Sequence, residues 1–243
     1  MKKFTIFCIA LLMGVTTVFS QTIALFEDFE SAPYNLTSSG TPAWTINSRL
    51  QATGLYSDSC TLATSSTSYL TSGSFSTVGN MSVILEFSQI CKIEMGDAAQ
   101  IEYSINGGTT WNIVTLAYYT GAGSYASNKF SEFSYPTAWS AGNATAKPDN
   151  TWWKAESFNL SDLVGNQASV MIRFKLNDAN NTGAASRPGW FLDDVKVTMA
   201  PSEMIPPTVT IIPPIFQDTL YTPGPFQVKA KVSDASGIAS AKL

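Results

Sequence analysis

The feature of this sequence that most constrains its fold is a series of short segments in which apolar and polar residues alternate. In ASVMIRFKL every second residue is a large apolar one, namely Val170, Ile172, Phe174 and Leu176. A period of two is typical of a β-strand with one buried face. Helical periodicity is nearly absent, and Gly, Ser, Asn and Pro separate the segments. The pattern predicts an all-β protein, and its many short strands favour a jelly-roll β-sandwich.

The N-terminal segment predicts export. Residues 1–20, MKKFTIFCIALLMGVTTVFS, have a basic start, an apolar run and a small, polar end. This pattern is typical of a cleaved secretory signal peptide. A membrane anchor is the alternative, but the apolar run is short and no basic cluster follows it. We therefore expect a secreted or cell-surface protein with no membrane span after signal removal.

The rest of the chain divides at a proline-rich segment. Residues 21–200 are long enough for one jelly-roll β-sandwich. Residues 201–207, PSEMIPP, contain three prolines and predict a linker. Residues 208–243 resemble the first strands of an immunoglobulin-like sandwich, which needs roughly a hundred residues. The sequence thus predicts an incomplete second domain and a longer parent protein.

Charge and residue content exclude several functions. Without residues 1–20, 12 basic residues remain against 18 acidic ones, and the net charge falls from −4 to −6. An acidic chain without basic clusters does not predict nucleic-acid binding. The chain has no histidine, which excludes Ser-His-Asp and Cys-His catalysis and histidine-ligated zinc. Two carboxylate pairs remain for glycoside hydrolysis, Glu94 with Asp97 and Glu102 with Glu156, but no spacing distinguishes them from strand-edge charges.

Two cysteines remain after signal removal, Cys60 and Cys91. An even pair in an exported chain predicts one disulfide. The alternative is two separate buried thiols.

A pair of adjacent carboxylates, Asp193 and Asp194, interrupts the apolar segment GWFLDDVKV. Strict alternation places Asp193 on the same face as Val195 and Val197, which predicts a buried carboxylate. Such a charge must be paired, hydrogen-bonded or bound to a metal. It could also cap a turn or meet Arg173 or Arg187.

We expect the partner of Asp193 to lie in ALFEDFES, because the first and last strands of a jelly roll can lie side by side. A calcium ion would accept carboxylate oxygens from both strands. The predicted calcium ligands are Glu30 and Asp193, with Asp28 and Asp178 as further candidates.

Aromatic residues suggest a ligand surface. The stretch from Ala117 to Trp139 lacks alternation and predicts a long loop, and long loops in compact domains are often functional. Exposed aromatic rings can stack on sugars, although most of the tryptophans are expected in the core. If a ligand surface exists, it is predicted at Tyr118, Tyr119, Tyr125 and Tyr135.

A short glycine-containing motif predicts a tight hairpin turn. In SINGGTTW, Asn106, Gly107 and Gly108 favour positive backbone angles, and Trp111 is expected to pack over the turn. The motif resembles the Asp-box turn of sialidase-type propellers, with Asn106 where Asp is usual. We interpret it as a structural turn.

Several motifs in order resemble one module type: LFEDFES, FSQICKIEMGDAAQIEYSINGGTTW, WWKAESFNLSDLVGNQASVMIRFKL and GWFLDDVKV. They resemble the jelly-roll module of large secreted Bacteroidetes proteins, many exported by type IX secretion. That module is similar to MAM-like domains and to calcium-binding carbohydrate-binding modules. The resemblance implies that Glu30 and Asp193 occupy calcium-ligating positions.

Two functions are compatible with these features. The first is a non-catalytic binding or adhesion module for a glycan, an extracellular protein or a cell surface, stabilised by calcium. The second is an accessory domain of a secreted peptidase or glycosidase whose catalytic domain lies outside this chain. The sequence by itself predicts no enzyme.

Overall fold

A computed structural model describes residues 21–201, 208–212 and 229–233. The predicted signal peptide, all of the linker except Pro201, and most of the predicted immunoglobulin-like segment lie outside the described residues. Those domain assignments stay predictions.

Residues 21–201 form eleven strands and a few short helical turns. In chain order the strands are β1 (Thr22–Glu27), β2 (Leu36–Thr41), β3 (Thr45–Asn47), β4 (Ser57–Cys60), β5 (Thr67–Ser72), β6 (Ser82–Lys92), β7 (Ala98–Ser104), β8 (Asn112–Ile113), β9 (Lys154–Asn159), β10 (Met171–Asn177) and β11 (Gly189–Ala200). The α-helix is α1 (Ser161–Val164), and the 3₁₀ turns are Leu116–Tyr118, Ala126–Asn128, Glu132–Ser134 and Asn150–Trp152.

The strands form two antiparallel sheets. The first sheet has the order β3-β4-β11-β6-β9, with β1 also paired to β11, and the second has the order β2-β5-β10-β7-β8. The eight strands from β4 to β11 divide into two facing sets. These are β4-β11-β6-β9 in the first sheet and β5-β10-β7-β8 in the second sheet. This is the eight-stranded jelly-roll arrangement. The predicted all-β jelly-roll sandwich is confirmed, and so is the pairing of its first and last strands.

The core lies between the two sheets and is rich in aromatic rings. Phe174 on β10 is fully buried, as the alternation predicted, and its ring lies 5.1 Å from that of Phe87 on β6. Trp190 on β11 lies 5.7 Å from Phe174 and 5.6 Å from Trp44, measured between ring centroids. These rings bury large apolar areas, which supply most of the stabilisation of such a sandwich.

The predicted disulfide is wrong, because Cys60 and Cys91 are free, buried thiols. Both residues lie opposite Trp190, but Cys60 is on β4 and Cys91 is on β6, with β11 between them. Two strand spacings of roughly 4.8 Å separate their backbones by about 10 Å. A disulfide requires Cα atoms closer than about 7 Å. The alternative of two separate buried thiols is confirmed.

A buried ion cluster holds the long segment between β8 and β9 against the sandwich. Lys92 at the end of β6 is fully buried, and its Nζ donates to Glu132 Oε2 at 2.5 Å and to the carbonyls of Trp139 and Ser140 at 2.9 Å. Arg187 also donates to Glu132, from Nε at 3.0 Å and from Nη2 at 2.8 Å. The predicted long loop is therefore a well-packed segment.

The predicted glycine turn between β7 and β8 is confirmed. Gly107 and Gly108 have φ angles of 67° and 87°. The side chain of Asn106 accepts the backbone N–H of Thr110 at 3.0 Å, and Ser104 Oγ accepts the N–H of Gly108 at 2.9 Å. These bonds satisfy the turn within itself, as expected of a structural motif.

In the second segment, β12 (Thr208–Ile212) pairs antiparallel with β13 (Lys229–Ser233). The remaining residues of 208–243 lie outside the described ranges, so the immunoglobulin-like assignment of this segment stays a prediction. Among the described residues, no helix has the length and apolar character needed to cross a membrane.

Candidate functional site

A β-bulge places Asp193 on the opposite face from the one predicted. Asp194 has a φ of 50°, and the pairing of β11 with β6 is irregular between Asp193 and Lys196. The extra residue reverses the alternation, so Asp193 lies on the face of Lys196, which is the outer face of the sheet. The prediction that Asp193 shares a face with Val195 and Val197 is therefore wrong.

Asp193 is nevertheless fully buried, because a loop covers it. Its Oδ2 accepts the backbone N–H of Ala52 at 2.8 Å and of Thr53 at 3.3 Å. Its Oδ1 accepts the N–H of Asp194 at 2.8 Å. Asp193 thus caps a turn, which is one of the alternatives that the sequence left open. The two arginines considered as partners of Asp193 bind other carboxylates. Arg173 binds Glu102, and Arg187 binds Glu94 and Glu132.

Glu30 binds the same loop as Asp193. Its Oε1 accepts the backbone N–H groups of Leu55 at 2.8 Å and Tyr56 at 2.9 Å. Gly54, which directly precedes Leu55, has a φ of 60°, and a Cβ there would lie 2.3 Å from Glu30 Oε1. The loop 52–56 therefore joins Glu30 and Asp193, the two residues predicted to act together. In the structure, the hydrogen-bond partners of both carboxylates are backbone N–H groups.

The other predicted calcium ligands lie differently. Asp28 accepts the backbone N–H of Glu30 at 3.2 Å, next to the same loop. Asp178 follows β10 and binds the N–H of Ser65 at 2.6 Å, so the structure does not bring it to Glu30. Across the described ranges, no group of three or more His, Cys, Asp or Glu side chains is arranged to hold a metal. Calcium at Glu30 and Asp193 stays a prediction.

Two carboxyl groups at this end of the first sheet have raised pKa values. Burial raises the pKa of Asp193 to about 6, against the effect of its three N–H donors. Burial also raises the pKa of Asp58 on β4 to about 7, with a further contribution from the nearby charge of Glu27. Both groups destabilise the folded protein when they are ionised.

We therefore expect thermal stability to rise as the pH falls from about 8 to about 5 in the presence of a chelator. Between the unfolded pKa near 3.8 and the raised folded values, the folded protein binds more protons than the unfolded chain. Stability due to these groups is fully present below the unfolded pKa and is lost as the pH rises through about 6 to 7. Melting temperatures measured by circular dichroism across this range test the sign.

The control for this prediction is Asp58→Asn, which cannot ionise. Its melting temperature should depend less on pH than that of the wild type. A melting temperature that is constant or that rises with pH would contradict the assignment. The pKa of Glu132 is lowered by Arg187 and Lys92 despite its burial. Ionised Glu132 therefore stabilises the folded protein, and this stabilisation is lost only as the pH falls to and below the ordinary pKa of a glutamate.

The predicted tyrosine surface is largely internal. Tyr125 is fully buried and packs on Phe130, with 4.6 Å between the ring centroids. It cannot contact a ligand at the surface, so the prediction for Tyr125 is wrong. Tyr118, Tyr119 and Tyr135 are half-buried and pack against the core.

The hydroxyl of Tyr119 explains its inward position. It donates to Glu156 Oε2 at 2.5 Å and accepts the N–H of Gly123 at 2.8 Å. Glu156 also accepts Gln89 Nε2 at 2.9 Å, and its burial raises its pKa. Tyr135 lies 4.9 Å from Trp139 between ring centroids. These tyrosines anchor the segment to the sandwich, and binding by Tyr118, Tyr119 and Tyr135 stays a prediction.

The outer face of the second sheet presents a different aromatic surface. On β10 the guanidinium of Arg173 lies between two rings, 4.2 Å from the centroid of Tyr69 on β5 and 4.0 Å from that of Trp111. All three residues are partly exposed. We call Tyr69, Arg173 and Trp111 the aromatic row.

Charged and polar groups flank the aromatic row. Glu102 on β7 accepts Arg173 Nε at 2.6 Å and Lys175 Nζ at 3.3 Å. The other outward residues of β10 and of the adjacent strands β5 and β7 are partly exposed and polar or flexible, namely Thr67, Thr71, Gln100, Met171 and Asn177. Each cation–π contact contributes about 0.5–1 kcal/mol at an exposed site. The contacts of Arg173 with Tyr69, Trp111 and Glu102 therefore hold the row in one geometry.

The sequence analysis did not identify this surface, although the alternation within two of its strands indicates which side chains face outward. The alternation in β10 assigned Arg173 and Lys175 to the outward face. The segment TSYLTS of β5 alternates in the same way, with Leu70 inward and Tyr69 outward. The pairing of β5, β10 and β7 that brings these outward residues together cannot be read from the sequence.

Comparisons with known proteins found structural likenesses only. A scan against protein-family models found no match, and a search of curated proteins found none either. One similar structure is the CBM22-1 xylan-binding domain of Paenibacillus barcinonensis Xyn10C, with 13% identity and a TM-score of 0.42 over 76% of this chain and 99% of that one.

Two further structures are similar. TmCBM61, solved with β-1,4-galactotriose, has 14% identity and a TM-score of 0.39 over 68% of this chain and 88% of that one. The K2 cleaved adhesin domain of Lys-gingipain has 14% identity and a TM-score of 0.39 over 74% and 99%. At these values the likenesses do not indicate what this chain binds.

Proposed function

We propose that this protein is an extracellular, non-catalytic module that binds a glycan through the outer face of its second sheet. The aromatic row carries this proposal. Sugar rings present apolar C–H faces that pack on aromatic rings, and hydroxyl groups that pair with planar polar groups. Tyr69 and Trp111 supply the rings. Arg173, Glu102 and Lys175 supply donors and acceptors beside them.

The geometry of the face supports binding without a large conformational change. The residues of the row other than Trp111 stand on paired strands, which hold side chains more accurately than loops do. Arg173 is fixed by Glu102 and by two rings, so little rotamer freedom remains to be lost on binding.

The absence of histidine and the contacts of Glu102 and Glu156 support a non-catalytic role. In one of the two pairs considered for glycoside hydrolysis, Glu102 is bound by Arg173, and Glu156 is bound by Tyr119 and Gln89. Those contacts account for both carboxylates without a catalytic role. Within this proposal the module acts either as an adhesion domain or as the accessory domain of a larger secreted enzyme. Two further points stay predictions: that the protein is a type IX secretion substrate of Bacteroidetes, and that it is related to MAM-like domains.

Affinity electrophoresis against a panel of soluble polysaccharides tests the proposal, with xylan, β-1,4-galactan, mannan, arabinan and a uronic-acid polymer as probes. We expect retardation by at least one of them. Tyr69→Ala and Trp111→Ala should each weaken that binding about tenfold or more, which corresponds to about 1.4 kcal/mol. Quenching of tryptophan fluorescence on titration gives an independent affinity.

The matched control is Phe26→Ala on the first sheet, an exposed aromatic residue outside the row. It should bind as well as the wild type. Absence of retardation by every polysaccharide, or unchanged binding by both row variants, would disprove the proposed site. Circular dichroism of each variant confirms that its fold is intact.

A further inference from the structure

The structure brings two carboxylates together at one end of the second sheet. Asp97 immediately precedes β7, and Asp178 immediately follows β10. The adjoining residues Ala98 and Asn177 are directly paired across the two strands. Asp97 is fully buried and Asp178 is 5% exposed. The next residues along this antiparallel register are Asp178 and Asp97, whose carboxyl groups are close enough to interact.

The carboxylate of Asp97 lacks hydrogen-bond donors. Neither of its oxygen atoms has a partner with hydrogen-bond geometry among the described residues, although the backbone N–H of Asn180 lies nearby. Asp178 by contrast accepts the N–H groups of Ser65 at 2.6 Å and Thr182 at 3.2 Å. A buried carboxylate without a partner is costly, and such groups in folded proteins bind an ion or water.

The neighbouring charged groups are directed elsewhere. Glu94 accepts Arg187 Nη1 at 2.9 Å and the hydroxyl of Thr182 at 2.7 Å. Lys129 Nζ donates to the backbone carbonyls of Met95 at 2.8 Å and Asp97 at 2.7 Å. These contacts position the loop before β7 but do not neutralise the buried carboxyl group.

We propose that Asp97 and Asp178 bind a hard divalent cation, and that calcium is the ion the site fits. Both side chains offer oxygen atoms, which Ca²⁺ prefers, and its variable coordination leaves places for backbone carbonyls and water. Transition metals favour nitrogen and sulfur ligands, and the chain has no histidine. The site is separate from Glu30 and Asp193, whose carboxylates are bound by amide donors.

Burial of Asp97 supports the proposal electrostatically. Desolvation and the adjacent carboxyl group of Asp178 together raise its pKa to about 6. Two carboxyl groups in contact can share a proton in place of an ion. A bound cation would remove the repulsion and would join the loop before β7 to the loop after β10.

Isothermal titration calorimetry of the chelator-treated protein with CaCl₂, at neutral pH, tests this site. We expect measurable binding and a higher melting temperature with calcium than with chelator. Asp97→Asn should weaken calcium binding at least tenfold. In chelator the same variant should melt at a higher temperature than the wild type, because it removes the like-charge repulsion. That increase also shows that the variant is folded.

Two controls locate the ion. Asp162→Asn changes an exposed acidic residue in α1 and should leave binding unchanged. Glu30→Gln changes the other predicted calcium ligand, and it should also leave this affinity unchanged. No heat and no calcium-dependent melting, or full calcium affinity in Asp97→Asn, would overturn the proposal. Stabilisation of Asp97→Asn without any calcium binding by the wild type would assign a shared proton to the pair.

Discussion

Replacement of Glu132 by alanine is expected to destabilise the protein by about 3–5 kcal/mol. The substitution leaves the ammonium of Lys92 fully buried with only the carbonyls of Trp139 and Ser140 as partners. It also removes the carboxylate that holds the guanidinium of Arg187. An uncompensated buried charge is the reason for the large effect. Urea unfolding monitored by tryptophan fluorescence measures the loss.

Substitution of the other member of the ion pair, Lys92, serves as a control. Lys92→Met should cost less than Glu132→Ala, because Glu132 keeps both bonds from Arg187 and accepts the N–H of Gly142 at 3.0 Å. The methionine side chain fills most of the space that lysine occupied. Equal losses in the two variants would contradict this account of the cluster.

Trp190→Ala is expected to destabilise the protein by about 3–5 kcal/mol. Trp190 is fully buried at the centre of the sandwich, in contact with Trp44 and Phe174. The substitution leaves a cavity between the sheets, and it removes the indole N–H that donates to Gln89 Oε1 at 2.7 Å. The same urea titration, with circular dichroism as the signal, measures the effect.

Trp111→Ala is the matched comparison for Trp190→Ala. Trp111 is partly exposed on the outer face, and its ring contacts Arg173. Its removal should cost much less stability, because less apolar area leaves water on folding. A loss as large as that of Trp190→Ala would show that the aromatic row is part of the structural core, and would weaken its assignment to ligand binding.

The strand pattern was the most predictable part of the fold. The alternation around Ile172 and Phe174 identified β10 and its buried face correctly, because burial of apolar area determines which side faces inward. The glycine turn after β7 was predictable for a local reason, since Gly107 and Gly108 require positive φ angles. The pairing of β1 with β11 followed from the jelly-roll topology.

The environment of Asp193 was not predictable in detail. One residue with a positive φ, Asp194, reverses the alternation within β11, and no local signal distinguishes it from its neighbours. The loop 52–56 that covers Asp193 is separated from it by about 140 residues. The sequence therefore indicated that Asp193 needs partners, and only the tertiary structure identifies them.

Tyr125 and the cysteines illustrate a second limit. The segment from Ala117 to Trp139 lacks alternation and was predicted to be a long loop with a candidate ligand surface, but it is fixed by buried anchors such as Tyr125 and Lys92. The relation of Cys60 to Cys91 depends on the order of strands across the sheet. Strand order is set by long-range pairing, which a single sequence does not specify.

The pairing of β1 with β11 has a mechanical consequence. Thr22 is paired with Met199, so the two ends of the sandwich emerge side by side. Antiparallel strands are joined by bonds perpendicular to their axes. A pulling force on the two ends therefore acts along these bonds and breaks them one after another. Under tension, β1 should peel away at low force before the rest of the sandwich yields.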